Sequence, residues 1–237
     1  MKASVQEVLK NTDLSQQKAL GEIVYEAFRM TIIQGKIPFG ERINEKEYSE
    51  IMNISRTPIR FALKILEKEG LVEYIPKVGV VVKEITKKDA IEIYAVRKAL
   101  ETVATETAMQ LMTEEDFKEL DDLLTETEEK NAQGNVEDVI KLFNKFHEII
   151  YLKSNTLRLR EIVMNIQEYL SRFRRICLNT ADRRDQAVVE HRLLYHAMVA
   201  KDKRRVQLLI EDHLNSSLAF VLQEMEKEDQ INESQTK

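Results

Sequence analysis

The distribution of helix breakers constrains this chain more than any other feature. All three prolines, Pro38, Pro58 and Pro76, lie in the first third, and Gly134 is the only glycine after Gly79. A stretch of that length without breakers builds long helices, whereas the first third must hold the turns. The spacing of apolar residues predicts helices at about 87–111, 114–132, 136–152, 156–179, 183–200 and 203–225. Six helices joined by short turns form an antiparallel bundle. Thr86 to Asp89 reads as a capping box opening that bundle after a very short linker, and Thr113-Glu-Glu-Asp116 is a second one. Asn135, after Gly134, starts a further helix.

In the first third, Ile23, Ala27, Met30 and Ile33 recur at helical spacing over Lys18–Gln34, and Gly35 ends the run. Asn44 is a good N-cap for a short helix from Glu45, with Glu47 placed to reach back; Tyr48, Ile51 and Met52 give it one apolar face. Asn53 tolerates a left-handed backbone and ends that helix. Ser55 caps the next, Pro58 sits in its first turn, and Gly70 closes it. Two helices joined by so few residues form a helix-turn-helix, in which the start of the second helix enters the major groove. Arg56, Thr57 and Arg60 sit at that start. Ile59, Leu63 and Leu66 form the inward stripe, while Arg56, Arg60 and Lys64 hold another face, where an arginine can grip a guanine edge or clamp a phosphate. Leu71–Ile75 and Val80–Ile85 then read as a hairpin, a wing whose tip presents Lys77 and Gly79. A capped helix pair alone is more often plain packing; the basic helix start and the wing set this one apart.

The run from Ile37 to Glu45 (IPFGERINE), the run from Asn53 to Arg60 (NISRTPIR) and the run from Leu66 to Val72 (LEKEGLV) closely resemble the winged helix-turn-helix of the GntR family of bacterial transcription regulators, over roughly residues 20–85. The resemblance implies that Lys46, Arg56, Thr57, Arg60 and Gly79 fall on the family's DNA-contacting positions. Phe61 departs from the pattern, where family members commonly carry glutamate, implying a change in packing or in half-site preference.

Composition narrows the partners. The net charge of −5 is not that of a non-specific nucleic-acid binder, so a local basic face must do the binding. No run of about 18 apolar residues occurs, and the N-terminus lacks a signal-peptide pattern, so a cytoplasmic protein is expected. The single cysteine, Cys177, excludes an internal disulfide and a cysteine-based metal site; Phe173, Ile176 and Leu178 around it suggest inert packing. The expected organisation is mainly α: residues 1–17 as a mobile arm or frayed helix, 18–85 as the winged domain, 86–225 as an all-α effector-binding and dimerisation bundle, and 226–237 as a disordered tail.

In the predicted bundle, His147, His191 and His213 lie on the apolar stripes of three different helices, whereas His196 lies round the helix on the surface. One such histidine is usually a satisfied core residue; three converging in a low-dielectric interior each need a partner, and a divalent metal would satisfy all three. Arg97 shares its stripe with Ile93, Leu100, Ala104 and Ala108, and its partner is either Glu101 one turn on or the carboxylate of a small organic acid. Arg172, Arg174 and Arg175 read as a solvated face.

The sequences around Phe146-His147, Glu190-His191, His213 and Val96–Glu101 resemble the helical FCD effector domain of the FadR-type subgroup of GntR regulators, over roughly 87–225. Many members of that subgroup bind zinc or nickel through an aspartate one turn before the first histidine plus three histidines. Here Phe143 replaces that aspartate, with Asn144 beside it, leaving either a weaker three-histidine site or a metal-free pocket. The resemblance implies a homodimer on an inverted-repeat operator in double-stranded DNA, controlled by a small-molecule effector. The competing reading is a three-histidine zinc hydrolase, but no motif such as H-E-x-x-H supplies a general base.

Overall fold

The computed structural model describes residues 3–235 apart from Leu14, Gln16 and Glu84. The chain divides into two compact units, residues 1–86 and 87–237.

The first unit contains α1 (Ala3–Lys10), α2 (Leu20–Ile33), β1 (Arg42–Ile43), α3 (Glu45–Ile51), α4 (Arg56–Lys68), β2 (Val72–Ile75) and β3 (Gly79–Val82). α4 packs on α2 and α3, burying Ile59, Leu63 and Leu66 against a core that includes Phe28, Ile33 and Tyr48. Burial of each such side chain contributes about 1.5–3 kcal/mol. Asn44 caps α3, its Oδ1 accepting from the amides of Lys46 at 3.1 Å and Glu47 at 3.5 Å. Asn53, at φ 52°, makes the left-handed turn that stops α3, and Ser49 Oγ donates to the Ile54 carbonyl at 2.6 Å across the turn. Ser55 stands at the N-cap of α4, but its side chain makes no capping hydrogen bond. Gly70, at φ 74°, closes α4: its amide donates to Glu67 O, and the next amide, of Leu71, donates to Leu66 O at 2.9 Å.

Three details differ from the sequence reading. Residues 3–10, expected as a mobile arm or a frayed helix, form a packed helix, with Val5 and Val8 fully buried and Ser4 Oγ donating to Glu41 at 2.7 Å. Two valines three apart are too short a pattern to stand out. Met30 is exposed, and Arg29 beside it is buried with Nε 3.0 Å from Glu69 Oε2. The sheet also has a third strand, because β1 pairs antiparallel to β3 through Arg42–Val81 and Ile43–Val80, giving the order β1-β3-β2. Two residues carry no readable alternation.

The second unit holds α5 (Lys87–Leu111), α6 (Glu114–Ala132), α7 (Val136–Lys153), α8 (Leu157–Leu178), α9 (Ala181–Val199) and α10 (Lys203–Gln235). α5 packs against α7, α8, α9 and α10, so its inward face lies at the centre of the bundle. Thr113 and Asp116 form the capping box at the start of α6, with Thr113 N donating to Asp116 Oδ2 at 2.9 Å and Asp116 N to Thr113 Oγ1 at 3.2 Å. α10 continues through Gln235, into the stretch expected to be disordered; residues 236 and 237 lie outside the described residues.

Candidate functional site

In the first unit, the start of α4 projects Arg56, Thr57 and Arg60 into solvent, because the stripe through Ile59, Leu63 and Leu66 faces the core. Arg60 is oriented by Glu45 at the start of α3, with Nε donating to Oε2 at 2.6 Å. Lys46 is exposed on α3, 3.7 Å from Glu50. Lys77 occupies the exposed tip between β2 and β3 with φ 69°, and Gly79 takes φ 107°. A side chain at Gly79 would be strained by that backbone angle, and its Cβ would lie 3.5 Å from Arg42 Nε. Arg42 thus joins this basic face beside the wing tip. The sequence reading missed it because the short strand β1 carries it there. Phe61 lies with its ring on Gly21 of α2, where an added Cβ would approach Phe61 Cδ1 to 2.6 Å. Its departure from the family pattern thus brings a packing contact with α2.

In the second unit, His147 of α7, His191 of α9 and His213 of α10 do come together. His191 and His213 ring centroids are 4.8 Å apart, and those of His147 and His191 are 5.2 Å apart. His191 Nδ1 donates to the Ala187 carbonyl at 2.7 Å, which leaves its Nε2 to accept; His147 Nε2, at 3.2 Å, is then the donor to it. His213 Nδ1 donates to Glu190 Oε2 at 2.5 Å. Burial, reinforced by the guanidinium of Arg174, holds His147 far below the ordinary histidine pKa, and burial with His213 does the same to His191. Burial and then Arg97 push His213 down to about 3. All three are neutral at physiological pH.

Around them lies a small cavity of about 20 Å³ with three arginines in its wall, Arg97, Arg174 and Arg183. Arg97 is 2% exposed, and its Nε donates to Glu101 Oε1 at 2.6 Å. Glu101 also accepts from the Tyr151 hydroxyl at 3.4 Å. Arg97 is therefore already neutralised by its own helix. Arg174, placed on a solvated face by the sequence reading, is instead buried, and its Nη1 donates to the neutral Asn144 Oδ1 at 2.6 Å. Burial, followed by repulsion from Arg97, holds the Arg174 pKa down to about 10. Arg183 Nη2 donates to Glu190 Oε2 at 3.0 Å and to Ser217 Oγ at 2.7 Å. Arg174 Nε, Arg183 Nε and Arg183 Nη1 are buried with no hydrogen-bond partner. Cys177 also lines the chamber, buried and with its thiol pKa raised by burial.

A resident metal does not fit these residues as they stand. His147 and His191 satisfy each other, and Phe143 stacks on His191 at 4.2 Å where the aspartate of metal-binding relatives would stand. Among the described residues no group of three histidine, cysteine, aspartate or glutamate side chains is placed to hold an ion. Three arginines against the two carboxylates Glu101 and Glu190 would also leave a dication facing net positive charge.

Family comparisons agree with both units. Residues 20–82 match the bacterial regulatory proteins of the gntR family, and residues 92–216 match the FCD domain. The HTH-type transcriptional regulator YdhC of Bacillus subtilis (strain 168) is 32% identical over 205 residues, which span 84% of this chain and 91% of that protein. McbR of Escherichia coli (strain K12) is 26% identical over 193 residues, 80% of this chain and 87% of that one. The solved structure of E. coli McbR/YncC shares the fold, with a TM-score of 0.68 at 24% identity, covering 88% of this chain and all of that one. The chain belongs to the GntR family: it is a DNA-binding transcription regulator with a C-terminal FCD domain, and not an enzyme. The hydrolase alternative falls with that assignment. No helix among the described residues is long and apolar enough to cross a membrane.

Proposed function

We propose that the chain is a ligand-responsive, homodimeric regulator that acts in the cytoplasm on an inverted-repeat operator. Its DNA contacts are Arg56, Thr57 and Arg60 in the major groove, with Lys46, Lys77, Gly79 and Arg42 on the flanking backbone or the adjacent groove. One winged unit spans only a few base pairs, so useful specificity calls for two copies related by a two-fold axis. The effector is a small organic acid taken up by the bundle. A cationic chamber buried in the unit that does not read DNA is the observation that carries this reading: unpaired positive charge in a core is costly unless an anion completes it.

The test is selection of bound sequences from a random duplex pool by the purified chain, followed by release with organic acids. The expected result is one enriched inverted repeat bound by a dimer in light scattering, with affinity altered by an acid. A monomer, or no enriched sequence, contradicts the proposal. The replaced ligand gives a second check: Phe143→Asp supplies a carboxylate beside His147 and His191 and should confer zinc or nickel binding in calorimetric titration. Equal heats for the wild-type chain and the variant would contradict the role given to Phe143.

A further inference from the structure

We propose that the chamber is a metal-independent carboxylate clamp in which Arg174 of α8 and Arg183 of α9, and not Arg97, grip the anion. This rests on the reading of the bundle as the effector-sensing unit and deepens it. Arg97 is satisfied by Glu101 on its own helix, so its charge is spent inside the protein. Arg174 donates to the neutral Asn144, and Arg183, although Glu190 lies 3.0 Å from it, keeps two nitrogens unsatisfied. Both line the same chamber and are over nine-tenths buried, and between them they hold three N–H-bearing nitrogens without an acceptor. A guanidinium so placed has given up water without gaining a full set of partners, and an incoming carboxylate supplies acceptors and countercharge together.

The histidines fit the same role. Two Nδ1 atoms donate within the protein, to the Ala187 carbonyl from His191 and to Glu190 from His213, while His147 donates through Nε2 to His191. They are neutral walls of the cavity and add no charge to it. A second, larger cavity of about 110 Å³ shares His147 and Arg174 with the first and is lined also by Tyr151, Val163 and Leu170. Arg174 therefore stands between the two, with its head where the carboxylate binds. The second chamber offers mixed polar and apolar walls for the rest of the acid. Because α8 and α9 each contribute one arginine, an anion between them ties the two helices together.

The test uses the full chain in EDTA and follows thermal unfolding with acetate, malonate, citrate or inorganic phosphate, each against chloride at matched ionic strength. At least one carboxylate should raise the Tm with the logarithmic concentration dependence of mass action. Arg174→Met should keep or raise the Tm of the anion-free protein, since it removes a buried cation held by a neutral amide with its Nε unsatisfied, and should abolish the carboxylate-dependent rise. A purely structural Arg174 would give the opposite pattern, a lower starting Tm with the rise retained. Arg174→Lys, which keeps the charge, should retain part of the rise. No Tm rise with any carboxylate, protection by phosphate alone, or protection that appears only when zinc or nickel replaces EDTA would each overturn the clamp. Operator affinity measured in the same buffers separates the two claims. Carboxylate protection with unchanged DNA affinity leaves the clamp standing and removes its effector role.

Discussion

The two units expose their functional groups in opposite ways. In the winged unit, Arg56, Thr57, Arg60 and Lys77 stand in solvent on a scaffold built within some forty residues, and the one charged partner recorded for them, Glu45 on Arg60, is itself part-exposed. In the bundle, Arg97, His147, Arg174, Arg183 and His191 are buried, and they arrive from α5, α7, α8 and α9. Charges on the first surface are cheap to carry and free to meet DNA phosphates and base edges. Charges in the second interior are costly, so they are either paired, as Arg97 is, or held ready for a partner.

The sharpest way to break this contrast is to remove one carboxylate from each unit. Glu101→Ala leaves Arg97 buried without its countercharge and should cost about 3–5 kcal/mol in urea unfolding of the bundle. Glu45→Ala removes the exposed partner of Arg60 and should cost under about 1 kcal/mol. Comparable losses would mean that the buried network is less isolated from water than its geometry implies.

Acidification tests the same buried network. His147, His191 and His213 are held neutral in the folded chain, whereas the unfolded chain protonates them near the ordinary value of 6.5. The unfolded state therefore binds more protons below that value. Stability is full above about pH 6.5 and falls as the pH drops toward 3, by about 1.4 kcal/mol per pH unit for each histidine. Glu190, with a pKa raised by burial, acts in the opposite sense, one group against three. Urea midpoints measured across that range should fall on acidification. A flat profile would mean that the chamber is wetter than described.

A small effect is expected on a feature with no functional charge. Thr113→Ala removes the capping box of α6 and should cost about 0.5–2 kcal/mol in urea unfolding without changing DNA binding. A loss of operator affinity would contradict the assignment of Thr113 to helix capping alone.

These differences also explain what could be read in advance. Caps and breakers such as Asn44, Asn53 and Gly70 act within a few residues, so the helices of the winged unit and the exposure of Arg56 and Arg60 follow from local pattern. The convergence of the three histidines was legible for a related reason, since each lies on its own helix's apolar stripe. Arg174 was not. Its neighbours Arg172 and Arg175 make the segment look like a charged surface, and only the packing of α8 against α5, α7 and α9 turns that one residue inward. Arg42 was hidden likewise, because its place beside Gly79 depends on a two-residue strand pairing across the sheet. The Arg97–Glu101 pair, four residues apart on one helix, was within reach of sequence alone.

The central claim is that the start of α4 reads base sequence. It is tested most directly by fluorescence anisotropy on the selected duplex at fixed salt, comparing wild type with Arg56→Ala and Arg60→Ala and with folding monitored in parallel. Each substitution should weaken specific binding by about 1–3 kcal/mol while leaving the unfolding midpoint in place. Unchanged affinity for the selected duplex in both variants would contradict the account.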